Sequence, residues 1–373
     1  MPSIGDASMN YEIDKKAGIA NRGNLYRIKQ VMERPKRGEA LNLAFLGGSI
    51  TQGCLASAPG LCYAARVFDW WVKTFPQAQF TYINAGIGGT TSQFGTARVQ
   101  KDVLDKKPDF VIVEFSVNDD STELFLETYE GLVRKIWSSP TAPAVMLVHN
   151  VRYDDGGNAQ IQHAKVARHY DLPSVSMQST IYPKVVSGVI ANREITEDDL
   201  HPNDTGHALV ADVITYFLEC VEKETENVES EPGKLPEPLT KNCYEHADRF
   251  QNHYGLVWPD GFEADHTPQD GITDVFKNGW TASKPGACIR FEVKGSGKSV
   301  QKPAPIAKVV VDGDTAHATL LDANFTEDWG DCLYIDTVLR HGENGTHQVE
   351  ITLTDAVLEA AVPFYLVSVI AAE

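Results

Sequence analysis

Apolar and polar positions follow two different rhythms along this chain, and the rhythm changes near residue 220. Up to that point, short runs that are almost entirely apolar alternate with longer segments in which apolar residues recur every three or four positions. The short runs predict buried strands and the longer segments predict helices. Strands are expected at 41–48, 80–86, 108–119, 144–151 and 172–177, and helices at 23–39, 63–75, 93–105, 122–137 and 159–170.

The predicted strands of this first part are apolar on both faces and are separated by helices. That combination is typical of a parallel sheet covered by helices on both sides. In such sheets, binding and catalytic groups collect in the loops at the carboxyl ends of the strands. We therefore predict one α/β domain of three layers over residues 1–220, including an N-terminal helical segment.

The second part of the chain has a different pattern. Residues 221–240 are charged and rich in proline, without apolar periodicity, and they predict an exposed linker. Beyond them, short segments of β-forming residues are separated by Gly, Asp, Asn and Pro, and several alternate in polarity. This pattern predicts an all-β sandwich domain over residues 241–373.

The charge balance narrows the classes of partner. The chain has 33 Lys and Arg against 51 Asp and Glu, which gives a formal net charge of −18. A field of this sign repels phosphate backbones and anionic lipids, so we expect neither nucleic acid nor membrane as a partner, whereas neutral sugars fit. The polar start of the chain and the lack of an apolar run of spanning length predict a cytoplasmic protein. For the oligomeric state, the sequence is compatible with both a monomer and a homo-oligomer.

Cysteine and histidine spacing argues against metal chemistry. Six cysteines are spread along the chain without a CxxC pair, and the histidines show no HExxH spacing. These patterns favour reduced thiols over a zinc site or a disulfide framework. We therefore expect no metal and no cofactor.

Four short polar segments stand at places where function collects in such a sheet. Ser49, in the sequence GGSIT, follows the strand at 41–48, where its hydroxyl should lie near backbone N–H groups. A glycine–serine turn alone is a weak signal. Three further segments, at 84–91, 116–119 and 198–202, are expected at the same edge of the sheet. Their combination with Ser49 indicates a catalytic site.

These four segments, in this order, resemble the motifs of the SGNH, or GDSL-like, hydrolases over about residues 40–220. The nucleophile motif GDS corresponds to 47–49, the glycine motif to 84–91, the motif GxND to 116–119 and the motif DxxHP to 198–202. Two positions depart from the pattern, since Gly48 replaces the usual aspartate and Ser116 replaces the usual glycine. The resemblance implies a flavodoxin-like, three-layer parallel sheet.

The resemblance also implies a catalytic triad. Ser49 would be the nucleophile, and His201 would accept its proton and later deliver it to the leaving alcohol. Asp198 would hold the imidazole in the correct tautomer and stabilise the imidazolium. Asp199 is an alternative to Asp198, with the family spacing favouring Asp198, and His207 in the next helix is expected to be structural.

The same resemblance implies an oxyanion hole. The backbone N–H groups of Ser49 and Gly89 and the side-chain amide of Asn118 would donate hydrogen bonds to the oxyanion that forms during acyl transfer. Taken singly, glycines and an Asn-Asp pair in these positions are explained by tight turns. Their joint order with Ser49 and His201 favours the catalytic interpretation.

The second part of the chain contains three tryptophans, a residue type that can stack on sugar rings. Trp329 lies between aspartates in a turn-like segment and is a candidate for stacking on a sugar ring, although a core position is an equal alternative. Trp258 and Trp280 are expected in the core of the sandwich.

The order of the two domains resembles carbohydrate esterase family 17. In that family an SGNH domain precedes a jelly-roll, galactose-binding-like module similar to carbohydrate-binding family 35. This resemblance implies a serine esterase, a carboxylic ester hydrolase, that removes O-acetyl groups from plant-polysaccharide-derived oligosaccharides, with acetylated β-manno-oligosaccharides favoured. The alternatives are an acetylesterase for xylo-oligosaccharides, a small-acyl esterase or thioesterase, and a non-catalytic carbohydrate-binding protein.

Overall fold

The computed structural model of the chain describes residues 11–224, 229–293, 296–300, 305–322, 324, 333–343, 345–354 and 362–372. The chain divides into two compact units, Met1–Asn242 and Cys243–Glu373. Among the described residues, no helix is both long enough and apolar enough to span a lipid bilayer.

A six-stranded sheet forms the centre of the first unit, with the strand order β1-β6-β5-β4-β2-β3. Its strands are β1 (Ile19–Asn21), β2 (Leu41–Gly47), β3 (Phe80–Gly86), β4 (Phe110–Glu114), β5 (Ala144–His149) and β6 (Ser174–Ser176). Strand β1 pairs with β6 in the antiparallel direction, and the other neighbours are parallel.

At least one helix follows each strand of this unit. They are α1 (Tyr26–Lys36), α2 (Ser49–Gln52), α3 (Tyr63–Thr74), α4 (Ser92–Asp102), α5 (Glu123–Trp137), α6 (Gln160–His169), α7 (Ile181–Val186), α8 (Asn192–Ile195) and α9 (Asp204–Lys223). Short 3-10 turns occupy Lys15–Gly18, Pro59–Leu61 and Leu104–Lys106.

Successive side chains of the central strands enter two separate apolar cores. On β2, Leu43 and Phe45 pack into a cluster shared with α1, α3 and α9. Between them, Ala44 and Leu46 face the opposite cluster, which is shared with α4, α5 and α6. A strand with both faces in a core is apolar at nearly every position. The prediction of a parallel sheet with helices on both sides is therefore confirmed for the five predicted strands, and the additional edge strand β1 is antiparallel.

Differences from the sequence expectation fall at short or polar elements. The edge strand β1 is three residues long and carries no periodic signal, so the apolar pattern missed it. The strand expected at 108–119 ends at Glu114, because the N–H groups of Asn118 and Asp119 both turn back to donate to the carbonyl of Phe115.

The segment between the two parts of the chain is attached to the first unit. Helix α9 continues to Lys223, which lies inside the range expected as a linker. Farther on, the buried carboxylate of Glu130 accepts hydrogen bonds from the backbone N–H groups of Leu239 and Thr240, at 2.6 and 2.9 Å. Leu235 packs against the apolar cluster around α5. These contacts satisfy Glu130, which has no exposure to solvent.

The second unit is β-rich, as predicted. Its described strands are β7 (Asp248–Phe250), β8 (Val257–Asp260), β9 (Glu263–Ala264), β10 (Trp280–Ala282), β11 (Cys288–Val293), β12 (Ser296–Val300), β13 (Ala307–Val311), β14 (Thr319–Leu321), β15 (Tyr334–Leu339), β16 (His347–Leu353), β17 (Phe364–Leu366) and β18 (Val369–Ala371). They form antiparallel sheets in the orders β17-β10-β9, β14-β13-β16-β11-β8 and β15-β12-β18-β7. One apolar cluster contains residues from all three sheets, among them Trp280, Phe291 and Val369.

The two described tryptophans of this unit have different environments. Trp280 is 1% exposed and packs edge-on against Phe291, so its expected core position is confirmed. Trp258 is 49% exposed, and the expectation of a core position is wrong there. It lies on β8, at the edge of the five-stranded sheet and opposite Arg290, an exposed residue of β11. Trp329 lies outside the described residues.

Candidate active site

Ser49 is the first residue of α2 and is separated from the end of β2 by Gly48 alone. In the sheet, β2 lies between β3 and β4. The loops after these three parallel strands therefore meet around Ser49, as the sequence predicts. Ser49 is 5% exposed, which places its hydroxyl in a recessed position at the carboxyl edge of the sheet.

A continuous chain of hydrogen bonds joins the three residues that the motifs propose as a triad. Nε2 of His201 lies 2.7 Å from Oγ of Ser49. On the other side of the ring, Nδ1 of His201 lies 2.6 Å from Oδ2 of Asp198. With Nδ1 donating to the carboxylate, Nε2 is left as the acceptor for the serine proton. This arrangement can perform nucleophilic acyl transfer.

The turn that carries Asp198 holds its carboxylate in place. The second carboxylate oxygen, Oδ1, accepts hydrogen bonds from the backbone N–H groups of Leu200 and His201, at 3.0 and 2.7 Å. Partial desolvation would raise the pKa of Asp198, but the hydrogen bonds from His201 and Leu200 outweigh it and hold the pKa below its ordinary value. Asp198 is therefore ionised at neutral pH and orients the imidazole.

Asp199 points to other partners. Its two carboxylate oxygens pair with the guanidinium of Arg193, at 2.9 and 2.7 Å, and one also accepts from the side-chain amide of Asn192 at 2.7 Å. The geometry thus places Asp198, and not Asp199, beside the imidazole of His201.

His207 is buried away from Ser49. Its Nδ1 accepts from the backbone N–H of Tyr63 at 3.2 Å, and its Nε2 lies 3.1 Å from the carbonyl oxygen of Cys54. Burial lowers the pKa of His207 to about 4, so the ring is neutral near pH 7. These contacts fit the structural position expected from the sequence.

The other two residues expected in the oxyanion hole, Gly89 and Asn118, belong to loops that pass beside Ser49. Among the described residues, the backbone N–H groups of Ser49 and Gly89 have no hydrogen-bond acceptor. Gly89 has φ +66, a left-handed conformation that favours glycine and turns the loop after β3. A Cβ atom on the preceding Gly88 would lie 3.6 Å from Cβ of Ser49, so this loop passes beside the nucleophile. The side chain of Asn118 packs against Gly48, directly before Ser49.

The two departures from the family motifs have physical explanations. A Cβ atom on Gly48 would lie 2.1 Å from Oδ1 of Asn118, so only glycine fits beside that side chain. Ser116 uses its extra hydroxyl, which lies 3.3 Å from Oε1 of Glu114 and 3.1 Å from the carbonyl oxygen of Asn150. Both departures are therefore accommodated by local contacts.

Sequence reasoning missed several buried polar groups beneath the site. Glu114 has no exposure, and burial raises its pKa to about 7 although hydrogen bonds from Ser116 act in the opposite direction. The sequence signal for this group was a glutamate inside an otherwise apolar strand. Arg98 on α4 is also buried, and its guanidinium donates to the carbonyl oxygens of Ala85 and Gly47 at the ends of two strands, at 2.9 and 3.1 Å. Nothing in the helical pattern around it marked this residue.

Comparison with known proteins agrees with the geometry. Residues 45–209 match the GDSL-like Lipase/Acylhydrolase family. The crystal structure of a two-domain esterase active on acetylated mannans, co-crystallised with mannopentaose, is similar with a TM-score of 0.93 and 62% identity, covering 97% of this chain and 99% of that chain.

Two further relatives each match about half of the chain. Thioesterase 1/protease 1/lysophospholipase L1 of Escherichia coli (strain K12) is 27% identical over 180 residues, 46% of this chain and 79% of that protein. Acetylxylan esterase of Geobacillus stearothermophilus is 23% identical over 204 residues, 47% of this chain and 93% of that protein. The resemblance found in the four motifs is confirmed: the chain belongs to the GDSL-like lipase/acylhydrolase family and is a carboxylic ester hydrolase.

Proposed function

We propose that this chain is a serine esterase that removes acetyl groups from O-acetylated β-manno-oligosaccharides. The observation that carries the proposed chemistry is the hydrogen-bonded chain from Ser49 through His201 to Asp198, at 2.7 and 2.6 Å. The proposed substrate is supported by the similarity, over both units, to the two-domain esterase active on acetylated mannans.

In the first half of the proposed reaction, Oγ of Ser49 attacks the acetyl carbonyl carbon while its proton passes to Nε2 of His201. The carbonyl π electrons move onto oxygen and form a tetrahedral oxyanion. When the carbonyl re-forms, the bond between the acetyl carbon and the sugar oxygen breaks. That oxygen takes the proton from His201 and leaves as a free sugar hydroxyl.

In the second half, water attacks the acetyl group on Ser49 and gives a proton to His201. Collapse of the second oxyanion breaks the bond to Oγ of Ser49, which recovers its proton from His201. The products are acetate and the intact enzyme, and no cofactor takes part. Asp198 stabilises the imidazolium formed in each half.

We assign the oxyanion hole to the N–H groups of Ser49 and Gly89 and the side-chain amide of Asn118. This assignment is supported by the unpartnered backbone donors and by the position of Asn118 against Gly48. Loss of one such donor typically costs on the order of 10²–10³ in rate.

The second unit is proposed to be a jelly-roll, galactose-binding-like carbohydrate-binding module. Its antiparallel sheets around one shared apolar core support a sandwich of this type. Trp329 is proposed to stack on a sugar ring of the substrate.

We also propose a cytoplasmic location for the enzyme. It is supported by Cys54 and Cys62, which are eight positions apart and carry free thiols. Thiol titration of protein isolated from its source without reductant is expected to find both groups free. A bridge between them would contradict the proposed compartment.

The decisive experiment measures acetate release from acetylated manno-oligosaccharides by wild type and by Ser49→Ala. We expect Ser49→Ala to lose almost all turnover, because no other hydroxyl is hydrogen-bonded to His201 among the described residues. Ser57→Ala is the control, since Ser57 is exposed and pairs with Asp204. Retained turnover in Ser49→Ala would contradict the mechanism.

The same assay tests the substrate. The named relatives raise two alternatives, an esterase for acetylated xylo-oligosaccharides and a thioesterase. Acetylated manno- and xylo-oligosaccharides and an acyl thioester are compared by kcat/KM, and mass spectrometry locates the acetyl group removed. A higher kcat/KM for the xylo-oligosaccharide or the thioester would replace the proposed substrate class while leaving the serine mechanism intact.

A further inference from the structure

Asp119 joins the two segments that carry the proposed oxyanion donors. It directly follows Asn118 in the loop after β4. Its Oδ1 accepts a hydrogen bond of 2.8 Å from the backbone N–H of Ser92. Ser92 is the first residue of α4 and stands three positions after Gly89. One carboxyl group therefore ties the loop after β4 to the loop after β3.

The second carboxyl oxygen of Asp119 contacts a buried histidine. Oδ2 lies 3.1 Å from Nε2 of His163 on α6, and neither side chain has any exposure to solvent. The ring of His163 is stacked on the ring of Tyr129, with centroids 3.5 Å apart and an interplanar angle of 4°. Asp119 is therefore fixed through three elements, α4, α5 and α6.

The buried pair carries no net charge near neutral pH. Burial raises the pKa of Asp119 to about 8, although hydrogen bonds from Ser92 oppose the shift, and burial lowers the pKa of His163 to about 3. Both shifts favour the neutral forms, in which Oδ2 of Asp119 and Nε2 of His163 share one hydrogen bond. A neutral carboxyl offers one acceptor to the Ser92 N–H and one donor to His163, so both contacts can form without a negative charge.

We propose that Asp119 is a positioning residue that sets the separation between the Gly89 N–H and the Asn118 amide, with His163 as its support. This inference rests on the oxyanion hole of the proposed function. The two donors come from different loops. The Asp119 side chain accepts a hydrogen bond directly from the start of α4, the helix that follows Gly89. Displacement of a catalytic group by about 1 Å can cost 10²-fold in rate, so a fixed separation has a direct catalytic value.

The donor and acceptor pattern makes a sharp test available. Asparagine has the shape of aspartic acid, and its carbonyl can accept from the Ser92 N–H while its NH₂ group donates to Nε2 of His163. Asp119→Asn therefore keeps both contacts, whereas Asp119→Ala removes both. His163→Phe keeps a ring against Tyr129 and removes only the contact to Oδ2 of Asp119.

The experiment measures kcat and KM for 4-nitrophenyl acetate and for acetylated manno-oligosaccharide, with folding checked by circular dichroism. We expect kcat of Asp119→Ala to fall at least tenfold with KM within about twofold, because the donors act on the transition state. We expect Asp119→Asn to stay within about threefold of wild type in kcat. His163→Phe should fall several-fold. Asp120→Ala, at the exposed neighbouring position, is the matched control and should keep wild-type kinetics.

Asn118→Ala, measured beside these variants, tests the oxyanion hole separately from the positioning role of Asp119. If Asn118→Ala leaves kcat unchanged, the proposed oxyanion hole fails and the inference fails with it. If Asn118→Ala lowers kcat but folded Asp119→Ala and His163→Phe do not, the inference alone is overturned. If kcat falls as far in Asp119→Asn as in Asp119→Ala, the inference is also overturned. The charge of residue 119, and not its hydrogen-bonded position, would then determine the rate. If Asp119→Ala does not fold, kcat of His163→Phe decides.

Discussion

A Cβ atom on Gly48 would lie 2.1 Å from Oδ1 and 2.8 Å from Cγ of Asn118. The side-chain amide of Asn118 therefore fills the space in which any larger residue before Ser49 would place its side chain. Glycine at position 48 and the proposed oxyanion donor are parts of one packing arrangement.

We predict that Gly48→Ala lowers kcat by about tenfold or more, because the new methyl group must push the Asn118 amide away from its position. Steady-state kinetics with 4-nitrophenyl acetate measure the effect. Gly60→Ala is the control, since a Cβ atom there meets nothing within 4 Å. If Gly48→Ala and Gly60→Ala have equal kcat, the position of the Asn118 amide has no bearing on catalysis.

Asp198 and Asp199 can be distinguished by the same substitution at each position. Asp198→Asn is expected to lower kcat by about 10²–10⁴-fold, because an amide beside Nδ1 of His201 favours the wrong tautomer. Asp199→Asn should stay within a few-fold of wild type, since Asp199 pairs with Arg193 and its φ of +68 is tolerated by asparagine. A pH–rate profile and kcat for both variants provide the measurement, and a larger loss at Asp199 would reverse the assignment.

Buried His207 is expected to make part of the stability dependent on pH. Its ordinary pKa of 6.5 is lowered by burial to about 4 in the folded chain. As pH falls, the unfolded state binds this proton first, so the contribution is complete above pH 6.5 and is lost on the way to pH 4. The loss is on the order of 3 kcal/mol.

His207→Gln removes this titration. We expect the variant to be less stable than wild type at pH 7.5, and the gap to close as pH falls below 6.5, in urea unfolding followed by tryptophan fluorescence. Wild type and variant must be compared at each pH, because the buried carboxyls of Glu114 and Asp119 also make stability depend on pH. Their pKa values are raised, so their contribution to stability increases as pH falls, opposite to that of His207. His266→Gln, at an exposed position, is the control, and a gap that stays constant for His207→Gln would refute the prediction.

Arg98→Met is expected to destabilise the first unit by about 2–4 kcal/mol. The guanidinium is buried and donates to the carbonyl oxygens of Gly47 and Ala85, which would lose their partner, as would Asp102. Lys101→Met, at an exposed position of the same helix, should change stability by less than about 0.5 kcal/mol. Urea unfolding of both variants gives the comparison, and similar midpoints would show that the buried guanidinium is dispensable.

Long periodic segments of this chain were predictable from sequence, and short elements were not. The strand at 80–86 and the helix at 63–75 were placed within one residue, because burial on one or both faces imposes a local pattern. Strand β1 and helices α7 and α8 are too short to show a period. In the second unit, the core position expected for Trp258 was wrong. Its exposure depends on the position of β8 at the edge of a sheet, and the local sequence pattern does not reveal which strands are at an edge.

The four motifs were sufficient to identify the family, since each motif is a local run of residues near the end of a strand or the start of a helix. Tertiary packing was needed to show which aspartate lies beside His201, why residue 48 is glycine, and which polar groups are buried beneath the site. The reason is the distance along the chain between partners. Ser49 and His201 are 152 positions apart, and Asp119 lies 27 positions from Ser92 and 44 from His163. Contacts over such separations are set by the packing of the sheet and its helices, which no local pattern contains.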